Sequence, residues 1–275
     1  MSEPPVSESM RRTIEDRLAA IEAEEEVRIL LAVESGSRGW GFHSPDSDYD
    51  VRFVYVRPPD WHVALQRGRD VIERPISDEL DLGGWELRKA LLLLLKGNAV
   101  IGEWLRAPLI YRSKPEAVEA LTDLAMRAAD RRAATWHYLN VLRSNLDRAG
   151  DTGGRRRIKR VFYALRPALA LRWMRLRDAG LPPMDMDGLI EGIGLSAGQR
   201  NRIEAFTALK KGLGEGDAAD VPEAILDLIG EERRLAENWL ADEAPPDPSP
   251  RLEAEAEALH LRLTRAFGPS GPPRR

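Results

Sequence analysis

The chain contains no cysteine. That excludes disulfide staples, thiolate zinc sites and cysteine nucleophiles together. Histidine is scarce: the four residues His43, His62, His137 and His260 are scattered, and the scatter argues against a multi-histidine metal site. Long hydrophobic runs are missing too. The longest strongly apolar stretch, residues 90–95, is far short of the ~20 residues that span a bilayer. Residues 1–10 are polar and acidic with no apolar centre. No secretory signal is read there, and a cytoplasmic chain without membrane association is expected. Neither sign of charge dominates: 41 Lys plus Arg stand against 45 Asp plus Glu, net −4. That excludes nucleic-acid binding through bulk positive charge. With 43% apolar and 31% charged residues, disorder throughout is excluded, and 275 residues make one large domain or two modest ones. What remains for metal chemistry is carboxylate.

Hydrophobic periodicity orders the chain. Met10, Ile14, Leu18 and Ile21 predict an amphipathic helix over 9–25. Residues 27–33 are short, apolar and followed by Ser-Gly-Ser, which predicts a buried strand. The β-branched and aromatic content of 48–56, closed by Arg57-Pro58-Pro59, predicts a second. Near-alternation over 76–82, with Ile76, Leu80 and Leu82 on the buried side, predicts a third, half-buried strand ending at Gly83-Gly84. From Trp85 the pattern turns helical, first over 85–96 with Gly97-Asn98 as a stop, and the run Leu91 to Leu95 reads as core. Further helices are predicted at 115–129, 131–147, 156–178, 197–213 and 222–242. Strands early and helices afterwards give an α+β class with an appended helical region. The expected division is 1–114, 115–242 and 243–275. In the last segment Pro-rich patches at 245–250 and 269–273 bracket one possible helix and mark a mobile tail.

The segment 33–52 carries the chemistry. Asp48 and Asp50 are two apart on a predicted strand, so both point to one face. Such a pair repels itself unless a cation intervenes, and oxygen ligands without nearby His or Cys suit Mg²⁺ or Mn²⁺. Tyr49, Val51 and Phe53 point to the core. Upstream, Gly36-Ser37 directly follows a buried strand, where backbone N–H groups and a hydroxyl can cradle phosphate because Gly permits close approach. A nucleoside triphosphate with Mg²⁺ needs both a cradle and a metal-binding carboxylate pair. The plainer alternatives are a Gly-rich turn and a polar loop.

Gly36-Ser37, ten residues, then Asp48-Tyr49-Asp50-Val51 resembles the signature of the DNA polymerase beta-like nucleotidyltransferase superfamily. The longer match, Glu34 through Phe42 and Ser44 through Phe53, resembles one bacterial and phage family of predicted nucleotidyltransferases, some linked to RNA-repair operons. The likeness continues through Asp70-Val71-Ile72-Glu73, residues 81–91, Glu103-Trp104-Leu105 and residues 159–170, and covers roughly 27–175. It implies a palm-like mixed sheet with flanking helices, Gly-Ser on the triphosphate and acidic residues on the metal. It also implies a third carboxylate from a neighbouring strand. Asp81, flanked by Leu80 and Leu82, fits that pattern, with Glu79 as fallback and Glu86 weaker because it falls in the helical segment. Its role is metal binding and general-base assistance.

Other residues stay open between two readings. Arg38 makes either a triphosphate contact or a surface salt bridge. Arg52 either pairs with the carboxylates or touches phosphate. Trp40 and Phe42 either stack on a base or pack the loop down, and His43 reads as an ordinary exposed histidine. Residues 155–177 carry nine Lys and Arg with no acid between them, either a phosphate-binding face or a solvated one. Lys159, Tyr163 and Arg166 share a helical face. The resemblance puts that face over the nucleotide, Lys159 near triphosphate and Tyr163 near base or ribose. Trp136, His137 and Tyr138 line a groove or pack between helices.

The expected activity is metal-dependent transfer of a nucleoside monophosphate from an NTP to an acceptor hydroxyl, with an RNA or tRNA end as the favoured acceptor. A protein hydroxyl is the nearest rival and a small molecule a further one. A catalytically silent nucleotide-binding protein is disfavoured by the presence of Asp48, Asp50 and Asp81.

Overall fold

The computed structural model describes residues 5–270 apart from 67, 78, 152, 153, 178, 179, 215 and 245–248. Residues 1–4, Gly153 and most of both Pro-rich patches (245–248 and 271–273) lie outside the described residues. The elements run α1 (Glu8–Glu25), β1 (Arg28–Ser35), α2 (Gly36–Gly39), β2 (Tyr49–Val56), α3 (Pro59–Val63), β3 (Val71–Glu73) and β4 (Leu80–Glu86). Then follow α4 (Leu87–Leu95), α5 (Ala99–Leu105), β5 (Ile110–Ser113) and α6 (Pro115–Arg127). The remainder is α7 (Arg131–Ala149), β6 (Arg155–Arg157), α8 (Ile158–Leu176), α9 (Met186–Gly192), α10 (Ala197–Lys211), β7 (Ala218–Asp220), α11 (Glu223–Asp242) and α12 (Pro250–Phe267).

These elements form two compact units. One comprises Met1–Gly39, Asp48–Ala128 and Pro248–Arg275; the other comprises Trp40–Ser47 and Ala129–Asp247. The division does not follow the boundaries near 114 and 243. The apolar stripes of α6 (Leu121, Leu124) and α12 (Leu259, Leu263) are buried within the first unit, with α12 packed on α4, α6 and β2. The possible helix of the last segment is therefore formed as α12, and it is packed rather than part of a mobile tail.

In the first unit a five-stranded mixed sheet has the order β3-β4-β2-β1-β5. β2 and β4 are parallel, and the other neighbouring pairs are antiparallel. A parallel pair requires a long crossover, and the connection through α3 and β3 supplies it. One sheet face buries Val51, Phe53, Tyr55, Ile72, Leu80 and Leu82 against Ile14, Leu18 and Ile21 of α1. This is the α+β palm-like arrangement that the polymerase beta resemblance implies.

Three local expectations are corrected. Ile76 is 70% exposed and outside the strand, because Glu79 takes a left-handed φ of 62° and β4 starts only at Leu80. β4 continues through Gly83-Gly84 to Glu86. At Gly84 a Cβ would lie 2.1 Å from the Phe53 ring, so the missing side chain here seats Phe53 and does not stop the strand. Glu86 is accordingly a strand residue, and its carboxylate caps α4 by accepting from Arg88 N–H at 2.7 Å. The leucine run is only partly core, since Leu91 and Leu94 are buried and Leu92 is 47% exposed.

In the second unit α7 and α8 pack together with α11 against both. Residues 155–157, with 156 and 157 expected as helix, form β6 and pair antiparallel with β7. α8 is buried on nearly all sides, with Pro167 inside it. Phe42 is fully buried, 5.1 Å from Phe162, which stacks on Phe206 at 4.7 Å. The loop aromatics thus pack the loop down, and His43 is half-buried rather than exposed. Among Trp136, His137 and Tyr138, the tyrosine is buried and the tryptophan 43% exposed.

Candidate active site

Backbone register gathers the carboxylates of the first unit. β1 is apolar and buried from Ile29 to Val33, and its pairing with β2 sets Ser35 opposite Asp50. The parallel β2–β4 pairing sets Asp50 opposite Asp81. Alternation sends Val51 and Phe53 to the α1 side and leaves Asp50 and Arg52 on the other. Leu80 and Leu82 anchor β4 in the same way, so Asp81 joins the Asp50 face. Asp48 lies just ahead of β2 and is exposed.

At the end of β1, Gly36 has a φ of +61°, and a Cβ there would stand 2.0 Å from Asp50 Oδ2. Only glycine lets the chain turn this close to that carboxylate. Ser37 follows, nearly buried in α2. Arg38 is buried as well. It donates to the carbonyls of Pro5 at 2.8 Å and Asp48 at 3.3 Å, and lies 3.9 Å over the Tyr49 ring. Arg38 thus fastens the backbone that carries Asp48.

Arg52 joins the carboxylates. Its Nη2 lies 2.7 Å from Asp81 Oδ2 and 3.4 Å from Asp50 Oδ1, and its Nη1 donates to the carbonyls of Val51 and Asp81, each at 3.1 Å. One guanidinium against the carboxylates of Asp50 and Asp81 leaves negative charge in excess. The donor set is oxygen only, partly exposed and suited to a hard divalent cation. Glu79 precedes β4, and Glu86 is buried at the other end of that strand.

Glu34 is a participant that the sequence reading did not single out, although it opens the matched motif. It is fully buried on β1; its Oε1 accepts from the Asp50 backbone N–H at 2.9 Å and its Oε2 from the Tyr111 hydroxyl at 2.5 Å. Burial pushes its carboxyl up to about 7, against the lowering effect of those two hydrogen bonds. A folded-state value above the unfolded one means that the protonated form stabilises the fold. That stability is fully present below about 4.5 and is lost as pH rises through about 7. Glu34→Gln removes this dependence. In chelator, the stability of Glu34→Gln relative to wild type should rise by about 2–3 kcal/mol between pH 5 and pH 8. Urea unfolding across that range measures it, and a pH-independent difference would refute the assignment.

In the second unit, α8 and the 40–47 loop bring Lys159, Tyr163 and Arg166 together with Trp40. Lys159 Nζ lies 5.8 Å from the centre of the Tyr163 ring, which meets Trp40 edge-on at 5.0 Å. Arg166 is buried, donates to the Met184 carbonyl at 2.8 Å and lies 4.8 Å over Trp40. The basic run is also less uniform than its sequence. Arg172 and Arg175 converge on Glu232, a buried acid from α11, at 3.3 and 2.8 Å. Arg156 pairs with Asp151 at 2.8 Å, while Arg155 and Arg157 are exposed.

The sequence model of the RlaP family, described as the RNA repair pathway DNA polymerase beta family, matches residues 10–262. Uncharacterized protein YcgL of Bacillus subtilis (strain 168) is 40% identical over 220 residues, covering 80% of this chain and 82% of that protein. The family match extends well beyond the 27–175 segment on both sides, taking in nearly all of α1 and most of α12. No helix among the described residues is long and apolar enough to cross a membrane.

Proposed function

Because the chain belongs to the RNA repair pathway DNA polymerase beta family, and so to the polymerase beta-like nucleotidyltransferases, we propose that it transfers a nucleoside monophosphate from an NTP to the terminal hydroxyl of an RNA or tRNA. The acceptor oxygen forms a bond to the α-phosphorus, the bond between that phosphorus and the oxygen bridging to the β-phosphate breaks, and pyrophosphate leaves. The observation that carries this reading is the register that sets Asp50 opposite Asp81 while Gly36 turns against the Asp50 carboxylate. Asp48, Asp50 and Asp81 are the residues to hold Mg²⁺ or Mn²⁺, which when bound supplies charge neutralisation on the phosphates and lowers the pKa of a coordinated hydroxyl. Asp81 is the group to receive the acceptor's proton. Gly36 and Ser37 offer backbone N–H groups and a hydroxyl to the triphosphate, with Arg38 holding their frame. Lys159 and Arg166 are assigned to the triphosphate and Tyr163 to the base or ribose.

The test is incubation with each labelled NTP, Mg²⁺ or Mn²⁺, and total RNA or protein. Label is expected in RNA. Label in protein would replace the RNA acceptor with a side-chain hydroxyl, and no transfer under any condition would remove the enzymatic reading.

The basic strand gives a finer expectation. Alternation puts Arg155 and Arg157 on one face of β6, and Arg156 is already engaged by Asp151. Replacing all three by Ala should therefore reduce the log–log salt slope of RNA binding by about two units rather than three, with NTP affinity nearly unchanged. An unchanged slope would make this a solvated face.

A further inference from the structure

The first unit holds a second cluster of metal-ligating side chains at the far end of β4 from Asp81. His62 comes from α3, Glu86 from the last position of β4 and His260 from α12. One ligand atom from each lies within 4.8 Å of the others. The two imidazole rings meet edge-on at 4.8 Å between centres, and His62 Nε2 stands 3.8 Å from Glu86 Oε1. The two histidines are nearly two hundred positions apart in sequence, so the scatter that argued against a multi-histidine site is undone by the docking of α12.

The burial of the group separates it from an ordinary surface cluster. The Glu86 side chain is 0% exposed, and its Oε1 has no hydrogen-bond partner. The Nε2 of His260 is likewise buried without one. A buried carboxylate oxygen and a buried imidazole nitrogen left unsatisfied cost stability unless something occupies the space between them. Burial and then the charge of Arg88 disfavour a proton on His260, against the pull of Glu257, while Lys96 and Glu253 also line this end; Arg88 bonds Glu86 through its backbone N–H.

We infer that His62, Glu86 and His260 form a Zn²⁺ site that clips α12 to the sheet, separate from the aspartate cluster. Two imidazole nitrogens and one carboxylate oxygen are a donor set zinc takes with three protein ligands, leaving a fourth position for water or another group. Tetrahedral zinc at ~2.1 Å from each donor places donors roughly 3.4 Å apart, so ligand atoms lying within 4.8 Å of one another close by at most about 1.4 Å on the ion. Entry is open: His62 and His260 also line a groove of about 590 Å³ with Arg88, Leu92, Leu95 and Leu261. The oxygen-only aspartate cluster selects hard cations, whereas this one selects a softer one. The inference is independent of the proposed activity.

Chelator-treated full-length chain titrated with Zn²⁺ by calorimetry tests it, with Co²⁺ as a visible-absorption probe of tetrahedral geometry. One equivalent is expected to bind and to raise Tm. That equivalent should persist in a chain carrying Asp48→Asn and Asp50→Asn. His260→Gln and Glu86→Gln should each weaken it by about 100-fold or more. Should either variant fail to fold, zinc-edge anomalous diffraction from metal-soaked wild-type crystals locates the ion directly. An ion between His62 and His260 supports the inference. Zinc bound only at Asp50, or no stoichiometric binding by wild type, overturns it.

Discussion

Asp50→Asn is expected to lower nucleotidyl transfer on the order of a thousandfold while the chain remains folded. An amide keeps the shape but removes the charge that holds a hard divalent cation. The fold should tolerate it. Asp50 is only partly buried, its bond to Arg52 is the longer of that guanidinium's two carboxylate contacts, and Asp81 keeps the shorter one. Stability should change by less than about 1 kcal/mol, since a partly exposed pair is worth little and relief of repulsion acts in the opposite direction. Asp48→Asn should behave alike. Turnover with labelled NTP and urea unfolding are the two measurements. If both variants keep more than about a tenth of wild-type turnover, the aspartates are not the metal ligands of the reaction.

Gly36→Ala should be nearly as damaging, for a reason that is steric. The backbone there is left-handed, costing an L-residue roughly 1–2 kcal/mol, and the new Cβ would fall 2.0 Å from Asp50 Oδ2. One of the two must move. Displacing a reacting group by about 1 Å costs about a hundredfold in rate. Transfer should therefore fall by at least about a hundredfold, whereas Ser37→Ala, which adds no atom, should mainly weaken NTP binding. NTP affinity and turnover of Gly36→Ala both within threefold of wild type would show that the turn has no part in the chemistry. The same contact revises the reading of the glycine. Its bare Cα makes room for the Asp50 carboxylate.

Much of this site was legible because strand alternation is a local property. Asp50 and Arg52 on one face with Val51 and Phe53 on the other needs only a strand, and the strand announces itself by composition. The long amphipathic helices were legible for the same reason. What escaped depends on partners distant in sequence. β3, β5, β6 and β7 are three or four residues long, too short for any period to show, and exist because a neighbouring strand pairs with them. Gly83-Gly84 reads as a stop until Phe53 is seen to lie over Gly84. Arg166 looks like one charge in a basic face until Trp40 and the Met184 carbonyl enclose it. Glu34 looks like the first residue past a strand until Tyr111 and the Asp50 amide converge on its carboxylate.

The order in which the chain is made bears on how the first unit forms. Its segments are interrupted by the 129–247 segment, so α12 leaves the ribosome about 120 residues after α6. At 5–20 residues per second, the sheet with its carboxylates waits on the order of ten seconds for the helix that covers α4 and α6. During that interval the apolar stripe of Leu91, Leu94, Leu121 and Leu124 lacks this cover. The second unit lacks only the short loop at 40–47 from upstream and can condense meanwhile from contacts closer in sequence, the faster kind to form. Nascent chains halted before residue 250 should accordingly be the species that chaperones hold.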